Sequence, residues 1–78
     1  MKTTKTIFRV FPEGDAIALF PNQRGARPAW CNSYQHIGQH GDAHKDLIKE
    51  LRAATAEEYA PLAAELQRIG YKNIEVIQ

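Results

Sequence analysis

All three histidines of this chain, His36, His40 and His44, lie within a single nine-residue segment. Imidazole titrates near neutral pH, binds transition metals and transfers protons, so this segment is the first place to look for chemistry. The one cysteine, Cys31, and the one tryptophan, Trp30, come just before it. These residues suggest a metal site, histidine-based catalysis, or a surface that recognises another macromolecule.

A metal site would take its ligands from Cys31, His36, His40 and His44. The histidine spacing of four residues would place the three rings on one face of a continuous helix, but Gly38 and Gly41 argue against a helix through this segment. The paired ligand spacings of structural zinc sites, such as C-x2-C, are absent. We therefore expect no cofactor, and zinc is the ion to test.

Catalysis would need a nucleophile and a base, for example Cys31 or Ser33 with His36 or His40. The glycine-flanked nucleophile motif of the hydrolases is absent, and a chain this short leaves little volume for a substrate pocket. Strand alternation also places Cys31 and His36 on opposite faces. Enzyme activity is thus not assigned. A metal-binding or histidine-based enzyme centred on His36 and His40 is one alternative function, and a nucleic-acid-binding module is the other.

A recognition surface is the favoured interpretation. Aromatic and arginine side chains are typical of protein–protein hot spots, and they can also stack on bases and bind phosphates. Ten basic residues against nine acidic ones give a net charge of +1, which favours a protein partner over nucleic acid. Alternatively, Trp30 caps the core and the arginines are merely solvated. The predicted partner-binding residues are Arg24, Arg27, Trp30, Tyr34, Gln35, His36 and His40.

Length and composition limit the setting. We expect the 78 residues, 44% of them apolar, to form one domain over 1–78. A core of this size with no disulfide is marginal, so a homodimer through an edge strand or the Trp30 face is plausible. A lone thiol is typical of a reducing compartment, and the N-terminus lacks the apolar segment of a secretory signal. These features predict a cytoplasmic protein without membrane contact.

Residue patterns predict four strands and two helices. The strands are expected over 6–11, 16–20, 30–37 and 72–77, with a turn at 12–15 and a loop at 21–29. Gly38 and Gly41 are expected to end the third strand, and Asp42 to cap a short helix from Ala43 to about Arg52. Residues 55–69 are predicted to form the second helix.

The second helix has clear signals at both ends. Thr55 and Glu58 have the spacing of a capping box, and Gly70 stands where a left-handed residue ends a helix. Its predicted apolar stripe is Tyr59, Leu62, Ala63, Leu66 and Ile69. Its predicted solvated face is Glu57, Glu58, Glu65 and Arg68.

The element order β-β-β-α-α-β predicts an α+β fold in which a mainly antiparallel four-stranded sheet packs against helices in two layers. We expect the last strand to lie beside the first, giving the strand order 4-1-2-3.

Three segments carry a resemblance: SYQHIGQHG at 33–41, ATAEEYA at 54–60 and ELQRIGY at 65–71. With them the chain resembles a family of short bacterial proteins encoded on plasmids, phages and integrated elements. The resemblance brings no activity with it. It implies a small accessory protein of mobile DNA that acts by binding another protein, for example in host defence or in plasmid or phage control.

Overall fold

The computed structural model describes residues 3–25, 28–36, 39–71 and 73–77. Its strands are β1 Thr4–Val10, β2 Ala16–Arg24, β3 Trp30–Gln35, β4 Gln39–His44, β5 Arg52–Ala53 and β6 Ile74–Ile77. Its helices are α1 Leu47–Glu50 and α2 Ala56–Arg68. Within the described part of the chain, neither helix is long and apolar enough to cross a membrane.

The six strands form one sheet. Five of them follow the order β4-β3-β2-β1-β5, and β6 pairs with the first part of β1, before the part that pairs with β5. All neighbours are antiparallel except β1 and β6, which are parallel, with Thr4 opposite Ile74 and Ile7 opposite Ile77. The predicted α+β class is confirmed, and so is the position of the last strand beside the first. The structure adds β4 and β5, which the sequence patterns did not predict.

Each face of the sheet has its own apolar cluster because side chains alternate along the strands. On one face, helix α2 contributes Leu62 and Leu66; the strand residues packed against them are Phe8, Ala18, Phe20 and Tyr34. On the other face lie Ile7, Ile17, Leu19, Cys31 and Ala43, covered by the segment Leu47–Leu51 around α1. The predicted two layers therefore gain a short third one.

Helix α2 begins and ends as predicted. Thr55 Oγ1 accepts the backbone N–H of Glu58, and the Glu58 side chain accepts the N–H of Thr55, which completes the capping box. At the other end Gly70 has φ 123°, and the N–H of Tyr71 donates to the carbonyl of Leu66. This Schellman ending turns Tyr71 back onto the core, where its ring stacks on Phe20.

The predicted bounds of one loop and of one helix are wrong. Strand β2 continues through the predicted 21–29 loop to Arg24, and a bulge between Phe20 and Arg24 accommodates Pro21, which cannot donate to a ladder. The predicted helix from Ala43 is instead strand β4 as far as His44. Helix α1 covers only Leu47–Glu50, after Asp46 rather than Asp42.

Ala43 and Gly41 show why this segment forms strand β4, although a helix was predicted from Ala43. Ala43 is buried opposite Cys31, so strand pairing contributes a core residue from a segment with little other apolar content. Gly41 lies inside β4 and does not end a strand, and its carbonyl accepts a hydrogen bond from the Ser33 hydroxyl at 3.0 Å. Gly38 and Ile37, which the sequence placed at the end of the third strand, fall outside the described residues.

Candidate functional site

The β3–β4 hairpin places three of the seven predicted partner-binding residues, Trp30, Tyr34 and His40, on one face. Cross-strand pairs join Trp30 to His44, Asn32 to Asp42, and Tyr34 to His40. The N–H of Lys45 donates to the carbonyl of Ala29, so these two residues form a hydrogen-bonded pair. Because hydrogen-bonded and non-hydrogen-bonded pairs alternate along an antiparallel ladder, the three pairs named above are non-hydrogen-bonded, the kind in which side chains lie closest together. We call the five residues not covered by α2 the hairpin face: Trp30, Asn32, His40, Asp42 and His44.

Trp30 is the largest side chain of the hairpin face. It is half-buried, and its ring meets that of His44 edge-on, with centroids 5.3 Å apart. His44 Nδ1 accepts the backbone N–H of Asp46 at 3.1 Å, closer than the Asp46 carboxylate at 3.5 Å. The proton of a neutral His44 ring is thus on Nε2, which leaves that atom as a donor.

The middle of the hairpin face is polar and closely packed. Asn32 Nδ2 donates to Gln23 Oε1 at 3.1 Å, which connects the face to β2. Gly25 approaches so closely that an added Cβ would lie 2.9 Å from both Asp42 Oδ1 and Trp30 Cβ. Only glycine fits there, and its N–H donates to the Trp30 carbonyl at 3.0 Å. These contacts hold Trp30 in one position.

His40 lies at the border between the hairpin face and helix α2. Its ring meets Tyr34 edge-on at 4.7 Å between centroids, and Tyr71 lies 6.3 Å away in a stacked arrangement. The Tyr71 hydroxyl is 3.3 Å from His40 Nε2. Aromatic neighbours on two sides therefore orient an exposed imidazole.

A second site lies between α2 and the end of β3. The Glu65 carboxylate accepts hydrogen bonds from the Tyr34 hydroxyl and from His36 Nδ1. Glu65 is only 8% exposed and Tyr34 1%, whereas the side chain of His36 is 76% exposed. An ionised carboxylate only accepts, so a hydrogen bond to it requires the proton on Nδ1 of His36 and makes Nε2 of this exposed ring an acceptor.

This arrangement corrects the prediction of a solvated Glu65. Position 65 adjoins the buried Leu62 and Leu66 on the helix, and a carboxylate there is stable only with hydrogen-bond donors. The sequence signal for it was the phenol at Tyr34, which strand alternation directs toward the helix. For Ile69 the error has the opposite sign: the sequence pattern places it on the apolar stripe of the helix, but it is 48% exposed.

Glu65 and His36 line an open groove of about 630 Å³, which we call the helix groove. Apolar walls and polar groups both contribute to it: Asp15, Ala16, Gln35, Glu58, Pro61, Leu62, Ala64 and Arg68 complete the lining. The volume is within the range of small-molecule sites. An imidazole positioned by a buried carboxylate in such a groove is suited to accept a proton.

The other predicted partner-binding residues do not belong to the hairpin face. Tyr34 is buried, so the expectation that it supplies exposed contact area is wrong; its hydroxyl holds Glu65 instead. Gln35 is half-buried at the end of β3 and lines the helix groove. Arg27 lies outside the described residues, as does the side chain of Arg24, whose backbone pairs with Cys31.

The four predicted metal ligands are not brought together. Cys31 lies in the core on the α1 side of the sheet, His40 and His44 on the other side, and His36 on Glu65. Burial raises the pKa of the Cys31 thiol, against a smaller lowering from Lys45. In the described ranges, no three His, Cys, Asp or Glu side chains form a group that could hold a metal ion.

Comparisons with known proteins bring no relative to this geometry: no family model, no curated protein and no solved structure matches the chain. Function must therefore be inferred from the residues of this chain and their contacts.

Proposed function

We propose that this protein is a small binding module that recognises a partner protein through the hairpin face. The observation that carries the proposal is Trp30, a half-buried aromatic ring held edge-on against His44 on a sheet face that helix α2 leaves uncovered. A rigid aromatic side chain surrounded by polar groups is the usual composition of a protein–protein hot spot. Asn32, His40 and Asp42 supply hydrogen-bonding groups around it.

The near-neutral charge supports a protein partner over nucleic acid. The hairpin face itself contributes one carboxylate, Asp42, which would repel a phosphate backbone. A cytoplasmic setting, in which buried Cys31 stays a free thiol, belongs to the same proposal. The setting on mobile DNA is supported by the sequence resemblance alone.

Site-specific photo-crosslinking in the native host tests this function. A photoreactive phenylalanine analogue replaces Asn32 on the hairpin face or, as the control, the exposed Glu57 on helix α2. We expect one discrete protein adduct from position 32, lost when Trp30→Ala is added, and none from position 57. Adducts of equal yield from both positions would contradict the proposal, and a nucleic-acid adduct from position 32 would replace it with nucleic-acid binding.

The helix groove favours a second candidate function, histidine-based proton transfer. Glu65 fixes Nδ1 of His36 and leaves Nε2 accessible, as in carboxylate–histidine pairs that act as general bases. Hydrolysis of an activated ester tests it. Activity above that of free imidazole should disappear in His36→Ala and persist in His44→Ala; equal loss in both variants would exclude a specific site.

A further inference from the structure

Two charged side chains of the helix groove, Asp15 and Arg68, form no ion pair within the described ranges. Asp15 lies in the turn before β2, Arg68 is the last residue of α2, and both are exposed. The other two carboxylates of the lining, Glu58 and Glu65, already accept hydrogen bonds from side chains of this chain. A ligand in the groove therefore meets one available carboxylate and one available guanidinium.

The sheet and the helix bring both charges to the neighbourhood of His36. Strands β2 and β3 are antiparallel, so Asp15 just before β2 and His36 just after β3 lie at the same edge of the sheet. Arg68 follows Glu65, the residue that holds His36, by three positions, and residues three apart are neighbours on a helix surface. The groove thus offers a carboxylate, an imidazole acceptor and a guanidinium around one space.

These polar groups match a ligand that carries both charges. Asp15 and His36 Nε2 accept, which suits an ammonium group, and the Arg68 guanidinium donates in the fork geometry that fits a carboxylate. A simple anion would meet the carboxylate of Asp15 and a simple cation the guanidinium of Arg68, so each would meet a like charge. Pro61 and Leu62 add apolar lining, which suits an apolar side chain.

We infer that the helix groove binds a small zwitterion with an apolar body, as found in an amino acid with an apolar side chain or a short peptide with free ends. Its ammonium group donates to Asp15 and to His36 Nε2, and its carboxylate accepts from Arg68. The inference names a ligand class for the groove of the second candidate function. It rests on the same orientation of His36, but it requires no catalysis.

An amide NMR titration of the full chain with L-leucine tests this inference. Saturable shifts are expected at the groove residues Ala16, Gln35 and Ala64 and not at Asn32 or His44 on the hairpin face, with a dissociation constant of about 1 mM or below. N-acetyl-leucine lacks the ammonium group and leucinamide lacks the carboxylate, so each should bind about five- to tenfold more weakly. Equal affinities for the three compounds would overturn the inference.

Leucyl-leucine is titrated in parallel, because its two charges lie farther apart. Tighter binding of this dipeptide than of leucine would assign the groove to peptides, and weaker binding would assign it to free amino acids. Absence of saturable shifts with both ligands at tens of millimolar would overturn the inference.

Two charge-removing variants test the individual contacts. Arg68→Gln should weaken leucine binding about five- to tenfold and leave leucinamide binding unchanged, while Asp15→Asn should weaken leucine binding and spare N-acetyl-leucine. Glu57→Gln, on the same helix but outside the groove lining, is the control and should bind leucine as wild type does. All three positions are exposed, and the amide spectra report folding. Unchanged leucine affinity in folded Arg68→Gln and Asp15→Asn would refute the proposed contacts.

The titration also separates this inference from both proposed functions. Leucine binding without ester hydrolysis would support the zwitterion site and count against histidine-based catalysis, whereas hydrolysis without leucine binding would overturn the zwitterion site alone. Trp30 does not line the helix groove, so Trp30→Ala should bind leucine as wild type does, whatever becomes of partner recognition.

Discussion

His36 and Glu65 are joined by a hydrogen bond from an exposed imidazole to a carboxylate that is almost fully buried. The Tyr34 hydroxyl donates to the other carboxylate oxygen, so one helix residue receives two donors from β3 and the residue after it. This three-residue link fixes the end of β3 on helix α2. It also orients His36 at the helix groove.

Removing the Tyr34 hydroxyl should destabilise the fold. Tyr34→Phe leaves the buried Glu65 carboxylate with one donor fewer, which should lower the free energy of unfolding by about 1–3 kcal/mol. Chemical denaturation measures it. Tyr59→Phe is the control, because the Tyr59 hydroxyl has no hydrogen bond among the described residues and its ring stacks on Phe8 with or without it. Equal losses in the two variants would refute the link.

Helix α2 should be sensitive at Leu66 and tolerant at Ile69. Leu66 is fully buried against the sheet, so Leu66→Ala should cost about 2–5 kcal/mol of unfolding free energy. Ile69 is 48% exposed, and Ile69→Ala should cost well under half of that amount. Thermal denaturation of both variants measures the difference. A larger loss of unfolding free energy in Ile69→Ala than in Leu66→Ala would show that Ile69 is buried, and would contradict the structure.

Stability should fall at acid pH partly through Glu58. A bidentate hydrogen bond from Arg52, together with the Thr55 backbone N–H, lowers the pKa of Glu58 from 4.5 to about 2. The folded protein therefore holds the ionised carboxylate better than the unfolded chain does. This contribution is present above pH 4.5 and is lost as the pH falls toward 2.

Melting temperatures of wild type and Glu58→Gln, measured from pH 6 down to about 2, test this linkage. The gap between them should close as the pH falls. Glu57→Gln changes the adjacent exposed carboxylate, which forms no ion pair within the described ranges, and should follow wild type throughout. A gap that stays constant with pH would show that Glu58 contributes nothing through its charge.

Gly25 should be needed for the position of Trp30. Gly25→Ala places a methyl group 2.9 Å from Trp30 Cβ and Asp42 Oδ1, so the hairpin face must shift. We expect a change in tryptophan fluorescence and a loss of about 1–3 kcal/mol in stability. Gly41→Ala is the matched control, since its methyl group meets nothing within 4 Å. Identical spectra for Gly25→Ala and wild type would contradict the close approach.

Local patterns predicted what local physics determines. The capping box at Thr55, the left-handed Gly70 and the first two strands depend on residues near in sequence, and all are present. The last strand also pairs with the first, as expected. These features fix the α+β class and the helix that holds Glu65.

Long-range pairing explains what was missed. Residues 39–44 lack strand propensity, and only the partner strand β3 and the buried Ala43 make them a strand. In the same way, the sequence alone indicates a solvated Glu65, because its donors come from distant positions: Tyr34 in β3 and His36 just after it. Of the hairpin face, Trp30 and His40 were predicted from the sequence as binding residues. Asp42 and His44 were not, because only the pairing of β4 with β3 places them on this face.

The most direct test of partner recognition is an equilibrium titration of the crosslinked partner, once identified, with wild type and Trp30→Ala. Loss of a central aromatic contact should raise the dissociation constant by roughly 30-fold, or about 2 kcal/mol. Lys49→Ala, on the exposed surface of α1, should bind as wild type does. If Trp30→Ala remains folded and binds with unchanged affinity, the hairpin face is not the recognition surface.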